Sequence, residues 1–142
     1  GVWVFPDLPV IDEKDTHFEQ FMVKLDGKLV PDRFDDELAL AMRGEREMVV
    51  LSACSHRGIT NILRCICSFF DGYNLKMLIG GFHIHNTPSE KDDVIIEGLK
   101  HSLPDALGVC HCSGVDKYAL FHSIWGNMVF YNHTGCVKEI EL

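Results

Sequence analysis

A chain of 142 residues, 46% hydrophobic and 24% charged, is one domain's worth of sequence and can build a core without disulfide staples. A formal net charge of -8, with lysines and arginines scattered, excludes a phosphate-backbone binder, so no nucleic-acid partner is expected. No apolar stretch reaches the roughly 20 residues that span a bilayer, and no signal peptide opens the chain. A cytoplasmic protein with no membrane partner is the expectation.

In chain order, the sequence starts at Gly1 and enters Val2-Trp3-Val4-Phe5 at once, which reads as a cut end. Pro6, Pro9 and the acidic stretch at 12–15 make residues 6–16 a loop. Residues 17–25 alternate imperfectly, and Asp26-Gly27 is a turn signal. Residues 31–36 read as a second loop. Residues 38–42 and 48–53 are two strands around Arg43-Gly44-Glu45-Arg46, a hairpin. The first 53 residues are therefore a strand-rich entry, and residues 54–142 form a βα-alternating part of the same domain.

In that second part Ile59, Ile62, Leu63, Ile66, Phe69 and Phe70 recur at helical spacing and stop at Asp71-Gly72. Residues 75–79 are a short apolar run, the signature of a strand buried on both faces. Ser89 reads as an N-cap with Asp92 three residues on, so residues 90–103 are expected to be helical until Pro104. Residues 106–110 are a third buried strand and 115–125 a third helix. Residues 128–131 and 136–140 close the chain as strands. The order from residue 48 is β-α-β-α-β-α-β-β, an α/β class with parallel neighbours. A ferredoxin-like α+β sandwich is the alternative.

Three histidine-bearing segments sit where buried strands run out: Cys54-Ser55-His56-Arg57-Gly58, Gly80-Gly81-Phe82-His83 and Cys110-His111-Cys112-Ser113-Gly114. Ligands of open α/β sheets bind at the carboxyl ends of parallel strands. Three imidazoles there point to one shared polar site for a metal. Gly58-Ile59-Thr60-Asn61 opens a helix, whose free N–H groups attract anions, and Arg57 adds charge. His17, His101, His122 and His133 lack such a context and read as surface or core residues. The six cysteines contain no C-x-x-C pair and read as reduced thiols of a cytosolic protein. Cys54, Cys110 and Cys112 flank the site and either ligate a soft metal or pack as small apolar groups.

Four blocks in order carry a family resemblance: Asp35-Asp36-Glu37-Leu38-Ala39-Leu40, the segment from Val49 through Cys54-Ser55-His56-Arg57-Gly58-Ile59, Ile79-Gly80-Gly81-Phe82-His83-Ile84, and His111-Cys112-Ser113-Gly114. The chain resembles the metallo-β-lactamase superfamily of metal-dependent hydrolases, in the branch of dihydropterin ribofuranosyl-aminobenzene phosphate synthase. The resemblance covers only the carboxyl-terminal half of that family. The family's H-x-H-x-D-H motif is absent, and its closest fragment is His83-Ile84-His85 followed by Asn86-Thr87.

The resemblance implies half of an αββα sandwich, with His56, His111 and His83 as the metal candidates and zinc or another divalent cation as cofactor. Ser55, Arg57, Gly58 and Asp36 are the substrate- or anion-binding candidates. It further implies hydrolysis of a small phosphorylated or ester substrate. The contrasting expectation is a non-catalytic half-domain that forms a homodimer or pairs with a missing amino-terminal half, because half a sandwich leaves a sheet face uncovered.

Overall fold

Strand–helix alternation from Glu47 onward generates the frame of the molecule. In the computed structural model, which describes residues 1–142, the strands β1 (Val2–Phe5), β2 (Met22–Leu25), β3 (Lys28–Pro31), β4 (Ala39–Arg43) and β5 (Glu47–Ser52) come first. Then follow α1 (Ile59–Phe69), β6 (Asn74–Gly80), α2 (Ser89–Lys100), β7 (Ala106–Val109), α3 (Gly114–Trp125) and β8 (Val129–Tyr131). Six strands form one sheet in the order β1-β4-β5-β6-β7-β8, while β2 and β3 make a separate hairpin. Strands β5 through β8 run parallel, and β1 and β4 are added antiparallel at one side. A mainly parallel sheet in consecutive order is the expected α/β half-sandwich and displaces the ferredoxin-like alternative.

Period-two alternation gives this sheet two apolar faces. On one face Trp3, Ala41, Val50, Leu78, Leu107 and Val129 stand in register across all six strands. They meet Ile59, Ile62, Leu63 and Ile66 of α1, Ile95 and Leu99 of α2, and Phe121 of α3 in one core. The helical spacing read from the sequence is thus the stripe that α1 buries, except at Phe69, which is 64% exposed. On the opposite face Val4, Leu40, Leu51, Ile79, Gly108 and Phe130 make a second row, and no helix covers it.

Two local expectations change. Pro88, not Ser89, caps α2: its carbonyl accepts from the Lys91 and Asp92 N–H groups, and the helix ends at Lys100. Residues 136–140 form no strand. A turn closed by the Cys136 N–H on the His133 carbonyl redirects the chain toward the β4–β5 hairpin, where Leu142 abuts Gly44. That path takes the tail over the second face, with Lys138 lying over the Phe130 ring. The Asp26-Gly27 turn is as read: both residues have positive φ, 49° and 81°, and they close the β2–β3 hairpin.

Candidate metal site

The carboxyl ends of β5, β6 and β7 each continue into a loop that puts a non-glycine residue in the left-handed region: Ser55 (φ 57°), His83 (φ 51°, with Asn86 at 59° further on) and His111 (φ 51°). Such backbone is sparsely populated and persists only where its surroundings hold it. The holding bonds run between the loops. Ser55 Oγ donates to the Gly81 carbonyl at 2.8 Å and contacts Ser52 Oγ at 2.7 Å, Ser113 Oγ accepts from the Phe82 N–H at 2.9 Å, and Cys112 Sγ accepts from the His83 N–H at 3.2 Å. Glu37 clamps the first loop from outside, its two carboxylate oxygens accepting from the His56 and Arg57 N–H groups at 2.7 and 2.8 Å.

Within this frame the His56 and His83 rings lie 4.3 Å apart, centre to centre, and His17 joins them at 5.6 Å from His83. His17 is the member that sequence reasoning missed. Its own N–H donates to the His56 carbonyl at 2.8 Å, so the entry segment delivers it from about 40 positions upstream of His56. No spacing signal marks such a contact. Phe34 stacks on His56 at 3.8 Å with an interplanar angle of 1°, and Phe21 meets both His56 and His83 edge-on. His17 Nε2, His56 Nδ1 and His83 Nδ1 are buried without a hydrogen-bond partner.

Burial pushes all three imidazoles toward the neutral form, His17 down to about 3 with help from nearby Lys91, and His56 and His83 downward as well. Neutral, unpartnered imidazole nitrogens are the kind of donor a divalent cation takes, but the three do not converge within the 4.8 Å that Cys54, His111 and Cys112 reach, and the Lys91 ammonium lies 3.5 Å from His17 Nδ1. His101, His122 and His133 are exposed and take no part.

His111 does not close a trio with His56 and His83. Its partners are Cys54 and Cys112, and the ligand atoms of these three lie within 4.8 Å of one another. Burial and the adjacent Cys54 push the Cys112 thiol up to about 12. Cys110 flanks the group and is likewise raised by burial.

The anion candidates are engaged by the protein itself. The start of α1 is filled by the Asp15 carboxylate, whose Oδ2 accepts from the Thr60 N–H and Oγ1, each at 2.7 Å. A side chain at Gly58 would collide with that carboxylate, 2.5 Å from its Cβ. The expected anion pocket is thus occupied, because a buried carboxylate already satisfies the helix start. Arg57 donates to the Leu8 and Arg33 carbonyls and to Asp35. Ser55 is fully buried in its loop bonds. Asp36 is exposed with no hydrogen bond, and the neighbouring Glu37 holds the loop instead.

Beside the imidazoles opens a cavity of about 870 Å³, lined in part by Lys14, His17, Phe21, His83, His85 and Lys91. His85 on its edge pairs with Asp116 at 2.9 Å. No helix of the molecule is long and apolar enough to cross a membrane.

No family model matches the chain. It is 29% identical over 115 residues to 7,8-dihydropterin-6-methyl-4-(beta-D-ribofuranosyl)-aminobenzene-5'-phosphate synthase of Methanocaldococcus jannaschii, covering 78% of this chain and 39% of that protein. It is 26% identical over 128 residues to an uncharacterized protein of the same organism, covering 90% of this chain and 46% of the relative. Among solved structures it is similar to Tm1679, described as a metal-dependent hydrolase of the beta-lactamase superfamily, with a TM-score of 0.87 at 26% identity over 98% of this chain and 53% of that one. The chain therefore spans about half the length of the proteins it matches. The fold matches half of a metallo-β-lactamase-like fold, and the sequence is similar to the dihydropterin ribofuranosyl-aminobenzene phosphate synthase.

Proposed function

We propose that this chain carries half of the centre of a metal-dependent hydrolase acting on a small phosphorylated or ester substrate, with zinc or another divalent cation as cofactor. The observation that carries this reading is the set of three buried imidazole nitrogens without partners, on His17, His56 and His83. These three residues would hold the cation. A bound divalent cation supplies a Lewis acid and acidifies water for attack near neutral pH. The chain's own groups bind and orient. The cavity wall sets Lys14 and Lys91 against Glu19 and Glu90, with Lys91 paired to Glu19 at 3.3 Å, which suits a polar substrate. Phe21 lines the wall beside the imidazoles, and His85, oriented by Asp116, can hold or pass a proton at Nε2. The phosphate compound in the relative's name supports a phosphorylated substrate.

Zinc loading followed by dialysis, then assay on phosphomonoesters, phosphodiesters and carboxylic esters with and without chelator, tests the proposal. Retained zinc and chelator-sensitive turnover are expected. Loss of zinc with no turnover on any ester sinks it.

A second reading has its own observation. The apolar row Val4, Leu40, Leu51, Ile79 and Phe130, which no helix covers and the returning tail only partly screens, favours a half-domain that pairs with a second copy or with an amino-terminal half. Light scattering at micromolar concentration is expected to give a dimer, and a monomer there argues against self-pairing. Six free thiols support a reducing, cytoplasmic setting for either reading.

A further inference from the structure

We infer that Cys54, His111 and Cys112 form a separate thiolate–imidazole site for a thiophilic cation of the zinc class. The three residues come from two loops, after β5 and after β7, and no other three metal-ligating side chains in the chain bring donor atoms so close. Donor atoms within 4.8 Å of one another are near the size of a tetrahedral zinc site. With Zn–S of about 2.3 Å and Zn–N of about 2.0 Å, its edges are roughly 3.5–3.8 Å, so closure by about 1 Å completes the group.

Cys112 Sγ has two polar contacts, and in one of them the thiol donates to the Cys54 carbonyl at 3.7 Å. The His83 N–H donates to Cys112 Sγ at 3.2 Å, which favours the thiolate once a cation is present. Gly81 leaves the sulfur its space, since a Cβ there would lie 2.6 Å from Cys112 Sγ. Two sulfurs and one nitrogen select zinc, cobalt or copper(I) over magnesium or calcium, which take oxygen ligands. Three protein donors leave a fourth position, and His111 faces solvent there, so water or a small ligand can complete the coordination. Deprotonation of both thiols accompanies binding, and the two protons go to solvent. The site does not depend on hydrolysis, and it differs in donors from the His17–His56–His83 group.

Cobalt(II) titration of the full chain tests it. Wild-type protein is expected to show an intense near-ultraviolet thiolate-to-cobalt charge-transfer band. Cys54→Ser and Cys112→Ser should each remove most of that band and weaken cobalt binding by at least ~100-fold, above the range typical of outer-shell changes. His17→Ala and His56→Ala should leave the band in place. A second arm needs no variant: zinc-loaded protein should alkylate Cys54 and Cys112 with iodoacetamide at least ~10-fold more slowly than metal-free protein, with Cys136 unchanged.

Failure to bind cobalt, binding without the band, a band that survives the Cys54→Ser/Cys112→Ser double change, or equal alkylation with and without zinc overturns the inference. Cobalt bound without the band and lost in His17→Ala leaves the hydrolase proposal intact while removing this one. A full band with no turnover does the reverse.

Discussion

Buried titratable side chains give single positions a pH signature. Asp15 is raised from 3.8 to about 6, first by burial, against the opposing bonds from Thr60. The folded state therefore binds this proton more tightly. The resulting stabilisation is complete below pH 3.8 and is lost as pH rises through about 6, a span worth roughly 3 kcal/mol. Asp15→Asn keeps an acceptor for Thr60 and removes the proton, so wild type should gain on the variant by about that amount between pH 7.5 and 4 in urea titrations. A difference independent of pH refutes it. His17 acts in the opposite sense. Lowered from 6.5 to about 3 by burial, its contribution is complete above pH 6.5 and is lost as pH falls through 3. His17→Gln should match wild type above pH 6.5 in its pH trend and lose less stability below it, by the same measurement.

Elements are locked to one another at a few polar points. Lys117 of α3 donates to both oxygens of Asp92 in α2, at 2.8 and 2.6 Å, with side chains only 9% and 11% exposed. Removing one partner strands the other charge, so Lys117→Ala should cost about 3–5 kcal/mol by chemical denaturation. The Asp92→Leu/Lys117→Met double change should recover most of that loss, and a double variant as weak as the single one counts against this account. The Glu37 clamp works the same way on the His56 loop. Glu37→Ala frees two N–H groups, and zinc affinity of the imidazole group should fall about 10–100-fold in competition with a chromophoric chelator. Unchanged affinity would detach Glu37 from the site. The acidic block at 35–37 was legible in the sequence as a motif. Which of its carboxylates reaches the loop was not, because that depends on where β4 starts relative to β5.

At the scale of the whole molecule one sheet face packs on helices and the other does not. Leu40, Leu51 and Ile79 stand in register on a face that meets no helix, and only the returning tail passes over it. Leu51→Lys should leave the helix-covered core and its cooperative unfolding in place, and the dimer proposed above should be lost in light scattering. Dimerisation that persists would place the contact elsewhere. The parallel frame itself was readable, since helical stripes and short apolar runs alternate at lengths that force crossovers. The strand expected at 136–140 failed because the turn at His133–Cys136 sends the tail across the sheet instead of along β8.

By itself the sequence determined the α/β class, the three strand-end loops and the family blocks they carry, because periodicity and short motifs are local. Only the tertiary structure brought His17 to His56, assigned His111 to Cys54 and Cys112, and filled the start of α1 with Asp15. Each of those pairings spans about 40 residues or more, or joins separate strand ends, and is decided by how the chain closes on itself.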